Sequence, residues 1–359
     1  MQLQRLWLTD FRSYPSAELT FAPGLTALLG ANGEGKTNVM EAVGYLATLS
    51  SFRGAPNEAL VRHGCTTAVV RAEGEREGRN LLIEAEITTS GRGRVQVNKQ
   101  RLSRARDLLG ALRVSVFSPD DLELVKGGPA LRRGYLDDTL VARQPKLDLL
   151  RGDLDRVLRQ RNALLKQAGG RVTPEIDATL AVWDAKLVEA GEGLAAARAA
   201  LVDDLAPVLA EAYDQVAGRP AHVQVAYHAP WREHGLAAAL EAARADELRR
   251  GLSLVGPHRD ELVVTLDGMP ARTHASQGEQ RSVALALRLA AHRVVTEATG
   301  SPPILLLDDV FSELDPDRSA ALLAHLPTGQ TLLSSAAGLP PGAEPELVLR
   351  VEGGTVTPA

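Results

Sequence analysis

Apolar positions recur along the chain with two periods, and the switches between them mark its elements. Residues 2–8 and 17–29 alternate apolar with polar, as half-buried strands do. The second run ends in Leu25-Thr26-Ala27-Leu28-Leu29 and stops at Gly30. Beyond Lys36 the period lengthens, and Val39, Val43, Leu46 and Leu49 predict a helix with one buried face. Alternation returns over 66–102, where strands at 67–72, 81–87 and from Val95 predict a β-meander turned by Gly91-Arg92-Gly93. Pro119 opens a short helix with acids in its first turn, and Gly127-Gly128-Pro129 stops it and starts the next. Residues 145–217 are helical almost throughout, in two apolar stripes separated by Gly169-Gly170. A strand over 222–227, a helix over about 236–250 and a strand Leu262–Leu266 with a turn at Asp267-Gly268 follow. A long helix then starts near Ser276. Ile304-Leu305-Leu306-Leu307 is continuously apolar and ends in Asp308-Asp309, as a strand buried on both faces of a parallel sheet does. Thr331–Ser335 is a last core strand.

The junction between the apolar strand and the first helix carries chemistry. Gly30-Ala31-Asn32-Gly33-Glu34-Gly35-Lys36-Thr37 fits the P-loop pattern G-x-x-x-x-G-K-[ST] in its strand–loop–helix context. The glycines let successive N–H groups face a phosphate, and the helix N-terminus beginning with Asn38 adds partial positive charge. Lys36 would reach the β- and γ-phosphates of ATP, and Thr37 would place its hydroxyl on Mg²⁺. Asp308 sits at the carboxyl end of a core strand, where such sheets bind ligands, and is the carboxylate that the Thr37–Mg²⁺ pair requires. Asp309 is placed to orient or deprotonate an attacking water. Arg12, just before the P-loop strand, either leans on the nucleotide or is a solvated loop arginine.

Composition changes this picture little. The chain of 359 residues has room for about two domains. Its net charge of −5 means that any nucleic-acid surface is a local patch. The densest basic run is Arg92, Arg94, Lys99, Arg101, Arg104 and Arg106, which is either a solvated hairpin face or a contact strip for DNA. Arg132-Arg133 lie near a helix start, which implies an anionic partner or an internal acid. Cys65 stands alone, so no internal disulfide forms and a reducing cytoplasm fits. No apolar run reaches about 18 residues, so no membrane-spanning segment is expected.

Ser276-Gln277-Gly278-Glu279 opens its helix with a capping box, S-x-x-E. The serine hydroxyl, the Gly278 backbone and the helix dipole can hold a phosphate. Because the chain already supplies one full phosphate cradle, that phosphate would belong to a second protomer, as in ABC-type heads that clamp two nucleotides between them. Ser276–Gln280 resembles the ABC signature of SMC-like repair ATPases, and Ser312-Glu313-Leu314-Asp315 resembles their D-loop. Two further stretches, Gly127-Gly128-Pro129 through Arg132-Arg133 to Tyr135-Leu136-Asp137, and Gly256-Pro257-His258-Arg259-Asp260, are similar to blocks of the RecF family of bacterial gap repair.

That resemblance implies an α/β fold: an ABC-type P-loop ATPase head with an inserted, mainly helical subdomain. The expected division is 1–112 for the N-terminal part of the ATPase domain, 113–250 for the helical subdomain and 251–359 for the C-terminal part. It also implies an ATP-dependent homodimer that binds DNA at gaps or junctions, hydrolyses ATP slowly to reset, and works with RecR and RecO to help RecA load. The insert is too short for SMC-type coiled-coil arms. Many ABC heads carry Glu where this chain has Asp309, and Ser334 or Ser335 lies where others place a switch histidine. An ABC transport subunit and a protein-only scaffold are the competing functions.

Overall fold

The structure, a computed structural model, describes residues 2–76, 78–171 and 173–359; Met1 and residues 77 and 172 of the expected first strand, meander and helical stretch lie outside it. The chain divides into two compact units, one of 1–122, 211–220 and 281–359, the other of 123–210 and 221–280.

The first unit is built on two sheets. Among the described residues one is six-stranded, in the order Thr355–Pro358, Leu347–Glu352, Leu25–Leu29, Thr331–Ser335, Ile304–Asp308 and Val114–Phe117. All neighbours are parallel except the terminal Leu347–Glu352/Thr355–Pro358 hairpin. The other is an antiparallel meander in the order Tyr14–Thr20, Gln2–Phe11, Thr67–Arg76, Arg79–Thr88, Val95–Val97 and Gln100–Arg101. The P-loop helix, Lys36–Thr48, contacts strands of both sheets. It is therefore buried nearly all round from Val39 to Ala47, not on the single face that its period predicted. Leu49 packs partly buried against the same core, but from just beyond the helix, which it caps in the left-handed region at φ 57°. Leu3, Leu6, Leu8, Val70 and Ile83 of the meander share one core with Val39, Leu46, Leu306 and Leu332.

The second unit is mainly helical. Helices Asp148–Ala168 and Leu236–Arg250 and the long helix Pro174–Val216 contribute Leu165, Leu248 and Leu180 to one apolar cluster. Arg161, 0 % exposed, bonds Asp184, Ser253 and Glu247 across these elements. The strand Val223–His228 pairs antiparallel with Glu261–Leu266, which turns through Asp267-Gly268 into Met269–Pro270.

Three segments differ from the expected division, the first being residues 211–220, which belong to the first unit rather than the helical subdomain. Residues 113–122 belong to the first unit, because Val114–Phe117 pairs with Ile304–Asp308. Residues 251–280 belong to the second, because Glu261–Leu266 pairs with a strand about 40 residues earlier, a partnership that local pattern does not disclose. The short helix expected from Pro119 forms as a 3-10 turn, Pro119–Leu122, followed by Glu123–Lys126. Asp121 forces that start by accepting the Ser118 N–H at 2.9 Å.

Candidate nucleotide-binding site

The P-loop leaves the carboxyl end of Leu25–Leu29 and enters the helix at Lys36. Gly35 caps that helix at φ 112°, and a Cβ there would lie 2.7 Å from the Tyr14 hydroxyl. Only glycine meets both demands. The Tyr14 O–H donates to Gly35 O at 3.0 Å. Asn38 Nδ2 donates to Ser13 Oγ at 2.9 Å, which fixes the first helical turn against the Arg12-Ser13 turn. Lys36 is 5 % exposed, and its Nζ donates to Gly30 O and Ala31 O at 2.8 Å each. The ammonium is thereby centred on the loop, with one of its three protons left to direct outward.

At the next strand end, Asp308 collects two hydroxyls. Thr37 Oγ1 donates to Asp308 Oδ1 at 2.9 Å, and Ser334 Oγ donates to the same oxygen at 2.7 Å. Burial pushes the Asp308 carboxyl up from the usual carboxylate range, and the Ser334 and Thr37 hydroxyls pull it back. The structure brings Thr37 and Asp308 together; Ser334, which the sequence marked only as lying with Ser335 where other heads place a switch histidine, joins them on the same carboxylate. Asp309 stands in the left-handed region at φ 49°, where its N–H donates to Ser334 Oγ at 3.0 Å. Among the described residues its Oδ1 is a buried oxygen without a hydrogen-bond donor. An unmatched buried acceptor is costly, so it marks a place for a water or a cation.

These residues fit Mg²⁺ and a triphosphate. A hydroxyl and a carboxylate oxygen are hard donors, and Mg²⁺ is held by one or two carboxylates together with substrate phosphates rather than by a full protein cage. No group of three His, Cys, Asp or Glu that could cage a metal occurs among the described residues.

Ser312 and Asp315 brace the loop after Asp309. Ser312 Oγ donates to Asp309 O at 2.7 Å, and Asp315 caps Pro316–Ala324 by accepting Arg318 N–H at 2.9 Å. Arg281, at the base of the helix Gln277–Thr299, donates to Glu313 O at 2.6 Å and to the Glu313 carboxylate. In the second unit the capping box forms as expected: Ser276 N–H donates to Glu279 Oε2 at 2.7 Å and Glu279 N–H to Ser276 Oγ at 3.4 Å. Ser276 and Gln277 are exposed, and Gly278 is half-buried.

Several of the candidate arginines are engaged within the chain. Arg12 does not lean on the nucleotide loop: its Nε and Nη2 grip Glu41 at 2.7 Å each, and Nη1 donates to Ala59 O at 2.8 Å. Glu41 is buried on the P-loop helix, and a buried carboxylate must be paired, which claims the nearest arginine. Arg132 is 6 % exposed, paired with Glu261 at 2.7 Å and donating to Leu124 O and Gly127 O. It caps the helix Glu123–Lys126, so the internal acid takes it rather than a polyanion. Arg133 donates to Asp260 O at 2.9 Å, and burial lowers its pKa. By contrast Arg92, Arg94, Lys99, Arg101, Arg104 and Arg106 are all exposed, and Arg94 pairs with Glu86 at 3.4 Å.

The family model described as the RecF/RecN/SMC N-terminal domain matches residues 2–332. A DNA replication and repair protein RecF of Frankia alni is 47 % identical over 354 residues, covering 94 % of this chain and 93 % of the relative.

The chain belongs to the RecF family.

A RecF of Kineococcus radiotolerans is 45 % identical over 366 residues, with 94 % of this chain and 93 % of that one covered. Among solved structures, the recombination mediator protein RecF-ATPrS of the RecFOR pathway superposes with a TM-score of 0.91 at 27 % identity, covering 99 % and 97 % of the two chains. The fold is that of the ABC-type ATPase head shared by RecF and SMC proteins.

Proposed function

We propose that this RecF-family chain is an ATP-driven switch of DNA repair, in which ATP closes two copies into a dimer that binds DNA. The observation that carries the proposal is the join between P-loop and core strand: Thr37 and Ser334 on Asp308, with Asp309 beside them holding an unmatched oxygen. The backbone of Gly30, Ala31, Asn32, Gly33, Glu34 and Gly35 cradles the phosphates, and Lys36 carries the compensating charge. Thr37 and Asp308 would hold Mg²⁺, which would supply charge neutralisation at the transferring phosphate. Asp309 Oδ1 accepts a proton from the attacking water and holds that water in line. A carboxylate one methylene shorter than Glu reaches less far, which suits slow turnover that resets a switch. Ser276 Oγ and the Gly278 amide contact the γ-phosphate of the partner copy, while Ser312 and Asp315 hold the intervening loop.

The DNA-contacting strip is assigned to Arg92, Arg94, Lys99, Arg101, Arg104 and Arg106. Work at single-strand gaps and gap edges with RecR and RecO, toward RecA loading, follows from family membership, as does a cytoplasmic location. No described helix is long and apolar enough to cross a membrane. Fluorescence anisotropy on a gapped duplex tests the proposal. Binding should need ATP over ADP and weaken with salt, with a log–log slope approaching about −5 if all six cations meet phosphates. Replacing Arg101, Arg104 and Arg106 by Gln should flatten that slope by about 3. ATP-independent binding, or none at any salt, contradicts the switch.

A further inference from the structure

The P-loop has a second wall that its motif does not announce. Leu347–Glu352 runs parallel to the P-loop strand, with Arg350 opposite Leu29, then turns back through Gly353-Gly354 into Thr355–Pro358. That register carries the turn past the strand's end and beside the nucleotide loop. Three approaches follow. A Cβ on Gly30 would lie 2.2 Å from Val351 O. A Cβ on Gly354 would lie 3.2 Å from Ser13 O. The Gly353 N–H donates to the carboxylate of Glu34, within the P-loop itself. Glu34 also faces Tyr14, whose phenol is pushed upward first by burial and then by the Glu34 charge. Glu34, half-buried, is thus tied to the hairpin turn. Swung the other way, its charge would oppose a triphosphate.

We infer that the C-terminal hairpin braces the nucleotide loop, and that Glu34 is its positioning residue. The Gly353 amide holds the Glu34 carboxylate outward, and the backbone from Gly33 to Gly35 follows, keeping its N–H groups turned to the phosphates. The inference rests on the ATP-binding reading above and adds a part of the chain outside its motifs. It also explains why a strand hairpin carrying no catalytic group is paired directly onto the P-loop strand.

The test is titration of the full chain with a fluorescent ATP analogue in Mg²⁺, for wild type, Glu34→Gln and Glu34→Ala. Both variants lose the same charge, but only Gln keeps an oxygen to accept from Gly353. Glu34→Ala should bind about fivefold more weakly than Glu34→Gln, the size of one partly exposed hydrogen bond. Melting midpoints without nucleotide should agree within about 2 °C, since the site is at the surface. Equal affinities of Gln and Ala overturn the brace alone, and so does a loss of affinity that only tracks a fallen midpoint. No binding by wild type overturns the ATP reading and the brace with it.

Discussion

Arg12→Ala separates a structural clamp from a nucleotide contact. Arg12 sits at the tip of the hairpin between Gln2–Phe11 and Tyr14–Thr20, at φ 53°. It holds Glu41, whose side chain is 0 % exposed against 18 % for Arg12. Removing the guanidinium deletes three hydrogen bonds and leaves a carboxylate whose only other donor among the described residues is Ser51 Oγ, at 2.5 Å. Breaking a fully buried pair costs about 3–5 kcal/mol. Here the arginine side opens to solvent, so water replaces part of the loss and about 2 kcal/mol is expected. Urea denaturation followed by circular dichroism would read this as a lower midpoint of the first unit's transition, with the slope unchanged. ATP-analogue affinity, measured well below the transition, should stay within about twofold of wild type. An unchanged midpoint with a tenfold weaker affinity would refute the clamp and return Arg12 to the nucleotide.

Three further outcomes follow from the same geometry. Asp309→Asn should keep ATP affinity but slow single-turnover hydrolysis at least tenfold and prolong the ATP-bound dimer; unchanged turnover removes Asp309 from the water's path. Lys36→Met should abolish ATP-analogue binding while the urea midpoint holds, and normal binding would discard its role. His292, 2 % exposed, has its pKa lowered to about 4 by burial and then by Arg293, and contacts Ser115 Oγ at 3.0 Å. A base depressed in the fold is protonated first in the unfolded chain. Its stability contribution is complete above about pH 6.5 and falls as pH drops from about 6.5 to 4, by up to about 3 kcal/mol. His292→Asn should flatten that acid limb in urea midpoints measured at pH 7 and pH 5; an identical limb contradicts the assignment.

The loop and the carboxylate strand of the candidate nucleotide site were legible because they are short-range or end-of-strand signals. Gly30–Thr37 and Ile304–Asp309 declare a loop and a buried strand within a few residues each. What local pattern could not supply was the identity of distant partners. Arg12 was open to a nucleotide because Glu41, on the P-loop helix two strands later, gave no sign that it would be fully buried. Arg132 looked misplaced at a helix start until Glu261, far along the chain, came to meet it. The P-loop helix showed a one-sided apolar stripe, yet its Ala42, Gly44 and Ala47 are buried too, because a second sheet covers the opposite face. Small residues allow that approach without announcing it. The hairpin Leu347–Pro358 did carry a signal, Gly353-Gly354 between alternating residues, but nothing local ties it to the P-loop strand.

The composite dimer is tested most directly by solution mass from light scattering, with Mg²⁺ and ATP or ADP, for wild type and Ser276→Arg. Ser276 is exposed and its cap has only a weak 3.4 Å bond to lose, so the variant should fold and bind ATP as a monomer. The mass of wild type should double with ATP alone, and that of Ser276→Arg should not change. A variant that dimerises as wild type does would contradict the placement of Ser276 on a partner's phosphate.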